Sequence, residues 1–231
     1  MEFPTPDPKS KRIRTREAMI QYQKARQEGK EWTGEVPMGE GPLNRDGMPK
    51  TPPGQSVTDR WPVLDLGFQP EIPLENWSLT LSGLLDYPAS FSWEEFNKFP
   101  QVEDVSDFHC VTSWSRLDNR WKGVRFSDLA NHCRVQKEVR YVYIKAYDGY
   151  STNLPIEEAM KYDVLLVHTW EGMPLSKEHG GPVRMITPQL YAWKGAKWIG
   201  EIIFREDDEL GFWEQRGYSN SANPWLEERY W

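Results

Sequence analysis

The pattern of apolar and polar positions changes near residue 60. Before it, the chain carries Pro4, Pro6, Pro8, Pro37, Pro42, Pro49, Pro52 and Pro53 with few aliphatic residues. Such a stretch cannot bury enough apolar surface to hold a core of its own. It reads as an extended arm over 1–60 that wraps a main domain over 61–231. One helix is expected in the arm, from about Thr15 to Glu28, with Thr15 as N-cap and Gly29 as its stop. Beyond Trp61, short runs of strand character take over. Trp77–Ser82 alternates and ends at Gly83, and Val139–Ala146 is rich in β-branched and aromatic residues. Asp163–His168 is continuously apolar, the signature of a strand covered on both faces. Val183–Ile186 and Trp198–Phe204 complete the set. Short helices lie between them: Ser92–Glu95 is a capping box opening a helix to about Lys98, Phe126–His132 is a second, and Pro155–Lys161 begins with proline at the first helical position. The elements do not alternate as βαβ units, so the class is a β-rich α+β fold.

Charge and composition narrow the function. Lys plus Arg is 28 against 35 Asp plus Glu, a net charge of -7, which excludes the basic footprint of a nucleic-acid binder. The arm's cluster of Lys9, Lys11, Arg12, Arg14 and Arg16 reads as a solvated stretch. No run is long and apolar enough to span a membrane. The N-terminus has basic residues but neither an apolar signal core nor an adjacent arginine pair, so a soluble cytoplasmic protein is expected. Two cysteines, Cys110 and Cys133, make neither a disulfide framework nor a common zinc pattern. No glycine-rich dinucleotide or P-loop motif is present. There are 12 Trp, 10 Tyr and 9 Phe; each serves first as core, and together they also suit a site gripping a large flat ligand.

Two stretches carry candidate chemistry. In Asp107–Ser115 a strand-like run from Val102 delivers Cys110 beside His109. Its thiolate would be a soft-metal ligand, or the residue is a small buried hydrophobe. In Glu178–Arg184 and Tyr191–Lys197, glycines flanked by His179, Arg184 and Lys197 form either a phosphate cradle or an ordinary basic hairpin turn. His132, Cys133 and His168 read as structural, and Glu94–Glu95 and Glu157–Glu158 as solvated helix faces.

Taken in order, Trp77–Gly83, His109-Cys110-Val-Thr with Trp114-Ser115, Trp121–Val124, Asp148-Gly-Tyr150, His179-Gly-Gly-Pro-Val-Arg184, Tyr191–Trp198 and Gly211–Glu214 resemble the sulfite oxidase-like molybdopterin oxidoreductases, in the compact form that has the molybdopterin-binding domain alone. The resemblance implies the mixed fold of that domain and a molybdenum–molybdopterin cofactor. It implies Cys110 as the metal ligand, and His179, Arg184, Gly195, Ala196 and Lys197 as the residues that hold pterin and phosphate. It implies transfer of an oxygen atom to or from a small-molecule substrate, with electrons exchanged with a separate partner. His109, Trp114 and Tyr150 are expected at the mouth of the site. Sulfite oxidases carry Arg before the metal cysteine and more just after it; here His109 precedes Cys110, Val111–Ser115 lacks arginine, and Arg116 and Arg120 follow. Leu64-Asp65-Leu66 stands where the family has Arg-Asn-His, and Ala146 where sulfoxide-reducing relatives have Thr. A neutral S-oxide or N-oxide is therefore expected to suit the site better than sulfite. Two other readings are a cofactor-free aromatic-rich β binding module with an inert Cys110, and a molybdopterin carrier or sensor without turnover.

Overall fold

The apolar runs become the central strands of two sheets. A computed structural model describes residues 21, 24–25, 28–31 and 39–230. The expected helix at Thr15–Glu28 falls mostly, and the basic cluster Lys9–Arg16 wholly, outside the described residues.

One sheet has five strands: β4 (Ser78–Gly83), β5 (Ala89–Ser92), β8 (Tyr141–Ala146), β9 (Ser151–Pro155) and β13 (Ile199–Arg205), in the order β5-β4-β13-β8-β9. β4 and β13 run parallel, Thr80 facing Glu201; the other pairs are antiparallel. The other sheet is built on the long hairpin of β6 (Gln101–Cys110) and β7 (Trp114–Arg125). β7 also pairs with β10 (Leu165–Trp170), which carries β11 (Met173–Pro174) and β12 (Arg184–Ile186). In the stretch expected to be an arm, β1 (Glu40–Leu43) and β2 (Pro49–Thr51) form a separate hairpin, and β3 (Ser56–Val57) lies parallel to the start of β7.

The main core lies between the sheets. Leu79, Leu81, Val142, Ile144, Ile202 and Phe204 of the first sheet meet Val124, Leu166 and Met185 of the second, and all are buried. Leu165 and Val167 point the other way into a smaller cluster with Trp121 and Ile186. β10 is thus covered on both faces, which is why its sequence is continuously apolar. The three short helices close the ends: α1 (Trp93–Phe96), α2 (Phe126–Cys133) and α3 (Ile156–Ala159). At α1 the capping box forms as expected, Glu95 N donating to Ser92 Oγ at 3.3 Å and Ser92 N to Glu95 Oε2 at 2.9 Å. Among the described residues no helix is long and apolar enough to cross a membrane.

Candidate functional site

A cavity of about 310 Å³ opens where the end of β6, the 61–66 segment, the turn before β12 and the segment before β13 converge. Cys110 is the last residue of β6 and reaches the cavity because side chains alternate along the strand. Its Sγ lies 3.1 Å from Thr112 Oγ1. The turn that follows is tight, with Ser113 at φ 73°, and Trp114 opens β7 directly opposite Cys110. Burial pushes the Cys110 thiol up, against the Thr112 hydrogen bonds and the charge of Arg229.

The same alternation sends His109 to the opposite side. It is buried, its Nδ1 lies 2.8 Å from Ser115 Oγ, and its ring meets Trp225 edge-on at 5.3 Å. Burial lowers its pKa to about 3. The expectation that His109 stands at the mouth is therefore corrected: it supports β6 from behind. His168, expected to be buried in its strand, is half-buried, with Nε2 2.8 Å from Gln101 Oε1. His132 packs between Phe91 and Phe99.

Across the cavity stand His179, Arg184, Gly195 and Lys197. Gly180, at φ +102°, is what lets Arg184 and Lys197 approach each other. A Cβ on it would lie 2.9 Å from the Cβ of Lys197 and 3.0 Å from that of Arg184. The glycine thus makes room for side chains rather than for a ligand's approach to backbone. The Arg184 guanidinium is buried and donates to three backbone carbonyls: His179 at 3.1 Å, Gly195 at 3.2 Å and Met185 at 3.5 Å. Among the described residues it forms no ion pair, and burial lowers its pKa to about 9. A buried cation facing only neutral acceptors is the environment an anionic group completes. Lys197 Nζ donates to the Glu178 carbonyl at 2.8 Å and lies 3.7 Å from Asp65 Oδ2. Burial and the charge of Arg184 bring Lys197 down to about 8 and His179 down to about 4. Trp61 stacks on His179 at 3.9 Å and spans towards Arg184 at 5.4 Å. Ala196 is fully buried and does not face the cavity; its carbonyl accepts from Met185 N at 2.9 Å.

Aromatic side chains line much of the rest, among them Trp114, Tyr150, Trp193, Trp213 and Tyr218, and Asp65 and Asp148 add two carboxylates. Tyr150 lines the cavity, with its hydroxyl donating to the Trp193 carbonyl at 2.5 Å. Its pKa is raised by burial and by Glu214. Behind Trp193, Lys194 and Glu214 form a fully buried ion pair at 2.7 Å. Glu214 Oε1 also accepts from Trp193 Nε1 at 3.0 Å and Thr152 Oγ1 at 3.1 Å. The sequence reading missed this brace, along with the lining by Trp61, Asp65 and Tyr218. The signal available was an acidic residue ending Gly211–Glu214 and a lysine inside Tyr191–Lys197, but nothing in their spacing pairs them. Arg116 is turned from the cavity: it pairs with Glu171 at 3.1 Å and lies over Trp170 at 4.7 Å. Arg120 is exposed and does not line it.

Comparison with known proteins places this geometry. Residues 67–213 match the oxidoreductase molybdopterin binding domain family. The chain is 42% identical over 182 residues to the uncharacterized oxidoreductase YuiH of Bacillus subtilis, covering 78% of this chain and 92% of that protein. It is 26% identical over 179 residues to the protein-methionine-sulfoxide reductase catalytic subunit MsrP of Campylobacter jejuni, spanning 68% of this chain and 60% of the relative. The crystal structure of the sulfane dehydrogenase SoxCD from Paracoccus pantotrophus has a similar fold, with a TM-score of 0.60 at 19% identity, over 81% of this chain and 51% of that one. The chain belongs to the oxidoreductase molybdopterin binding domain family, and is a sulfite oxidase-like oxidoreductase that depends on molybdenum–molybdopterin.

Proposed function

We propose that the chain transfers an oxygen atom to or from a small neutral S-oxide or N-oxide, with Cys110 as the thiolate ligand of molybdenum. When bound, the cofactor supplies a two-electron metal centre and an exchangeable oxygen. Arg184, Lys197 and His179, with the backbone at Gly195, would hold its phosphate and pterin. The observation that carries this reading is that Arg184, buried and without a counter-ion among the described residues, faces the same cavity as Cys110.

The walls determine which substrate suits the site. Trp114, Trp213 and Tyr218 line the cavity with Cys110 and offer apolar faces to a neutral ligand. Sulfite would arrive with nearly two charges, yet the cations of the cavity lie on the cradle side and Arg116 is held by Glu171. Its charge would then be left unpaired on desolvation. Tyr150 is the group placed to donate a hydrogen bond to a substrate oxygen, by turning its hydroxyl from the Trp193 carbonyl. His109 takes no part at the mouth. Because one relative is named a catalytic subunit, a separate electron-transfer partner belongs to the same proposal.

Steady-state kinetics of the loaded enzyme test it, with a neutral sulfoxide and an artificial donor against sulfite and an artificial acceptor. The sulfoxide should turn over with little salt dependence. Efficient sulfite oxidation that slows steeply with rising salt would reveal a positive funnel and refute the assignment.

A further inference from the structure

Residues 62–69 close one side of the cavity yet are barely attached to the rest of the chain. At one end Trp61 is fixed among the rings of His179, Trp170, Trp121 and Phe108. At the other end Pro70 is buried. Between these anchors, among the described residues, 62–69 make no backbone–backbone hydrogen bond and add no side chain to the apolar core clusters. Val63, Leu64 and Phe68 are exposed. Pro62, Leu64, Asp65 and Leu66 nevertheless line the cavity.

Asp65 supplies the polar attachment. Gly67 N at 2.8 Å and Gln69 Nε2 at 2.7 Å both donate to its carboxylate, so the segment folds around that group. Beyond the segment, its ion-pair partner is Lys197, with Nζ 3.7 Å from Oδ2 and both side chains largely buried. Among the described residues no other hydrogen bond or ion pair ties 62–69 to the body of the protein. Lys197 is also a cation that the cradle offers to a phosphate. A carboxylate and a phosphate drawn to one ammonium repel each other, and partial burial preserves that repulsion. Segments with few apolar contacts and no paired backbone are the ones that open at little cost.

We propose that 62–69 is the door through which the cofactor enters: Asp65 latches it to Lys197, and the cofactor's phosphate displaces Asp65 and releases the segment. This rests on Arg184 and Lys197 being the phosphate cradle. Closure of the door and binding of the phosphate compete for one ammonium, so the latch holds cofactor affinity below what the cradle alone would give.

The test measures molybdenum uptake by unloaded protein under limiting molybdenum–molybdopterin, beside the mobility of a spin label on Phe68→Cys, an exposed position outside the cavity lining. In the wild type, loading should mobilise the label. Asp65→Asn should load faster, hold the cofactor on the order of tenfold more tightly, and carry a mobile label before loading. Asp65→Ala should agree with it, since it lacks any oxygen that could still accept from Lys197. Asp65→Glu keeps the charge and should stay close to the wild type. Neutral variants that load and release like the wild type, or a wild-type label that loading immobilises, overturn the proposal and leave 62–69 a fixed wall. Uptake that Arg184→Ala does not weaken overturns instead the cradle on which the proposal rests.

Discussion

Removing Arg184 separates cofactor binding from folding. In the unloaded protein its guanidinium makes three hydrogen bonds to neutral carbonyls, at 3.1, 3.2 and 3.5 Å. Each is worth about 1 kcal/mol net. Against that stands the cost of burying a cation without a counter-ion, visible in the pKa that burial lowers to about 9. Arg184→Ala removes both, so the stability of the unloaded protein should move by no more than about 2 kcal/mol. In the loaded protein the balance differs. A charge-assisted contact to phosphate contributes about 1.5–3 kcal/mol, and its loss weakens binding by roughly one to two orders of magnitude. The assay is molybdenum per protein under limiting cofactor, with melting temperatures of loaded and unloaded protein. Occupancy should fall steeply, and the melting-temperature gap between the two forms should narrow. Arg184→Lys should recover part of the occupancy, since the charge returns without the forked geometry. Unchanged occupancy at limiting cofactor would remove Arg184 from the site, and an equal melting loss in both forms would make it a packing residue.

Cys110→Ser should abolish metal-dependent turnover with little change in fold, because an alcohol is a poor soft-metal ligand. Cys133→Ser, in the core of α2, should cost about 1–3 kcal/mol in a melt yet keep its metal and activity; full turnover by the first variant refutes the metal assignment. Burial lowers His109 from 6.5 to about 3 and His179 from 6.5 to about 4, so below pH 6.5 the unfolded chain takes up protons that the folded one refuses. Stability of the unloaded protein should therefore fall with pH until those folded pKa values are reached, and His109→Gln should flatten the slope in denaturant titrations; an unaltered slope counts against the burial argument. Lys197, brought down to about 8, should be held protonated by a bound phosphate, so cofactor affinity should decline above pH 8 and decline less in Lys197→Arg. Lys194→Met removes the cationic partner of the buried Glu214 carboxylate and should cost about 3–5 kcal/mol in a melt, much of it recovered when Glu214→Gln is added.

The strands with an apolar signature were legible: β4, β8, β10, β12 and β13 all stand where the alternation or the continuous run put them. β7 was not. Its sequence is mostly polar and charged, and backbone ladders to β6 and β10 on its two sides hold it. Three of its five charged side chains are held in ion pairs, Arg116 with Glu171, Lys122 with Glu103 and Asp118 with Lys50, and no apolar period announced a strand. At the site, Cys110, Arg184 and Lys197 could be chosen from residue type and order. The side on which His109 falls follows from strand alternation once Cys110 faces the cavity, a local signal that the expectation for His109 overlooked. Trp61 reaches the site only through long-range packing, for which single-sequence reading has no signal.

The parallel pairing of β4 with β13 bears on biosynthesis. Thr80 cannot find its partner at Glu201 until β13, far downstream, has been synthesised. The five-stranded sheet therefore stays split until β13 emerges, with the apolar faces of β4 and β8 without the strand that joins them. Pairing of such remote segments is slow and exposes sticky surface meanwhile. Arg184 and Lys197, in the segment leading up to β13, complete the cradle at the same late moment. Cofactor loading is thus expected to follow the synthesis of β13, and a nascent chain stalled before residue 205 should retain chaperones and carry no molybdenum.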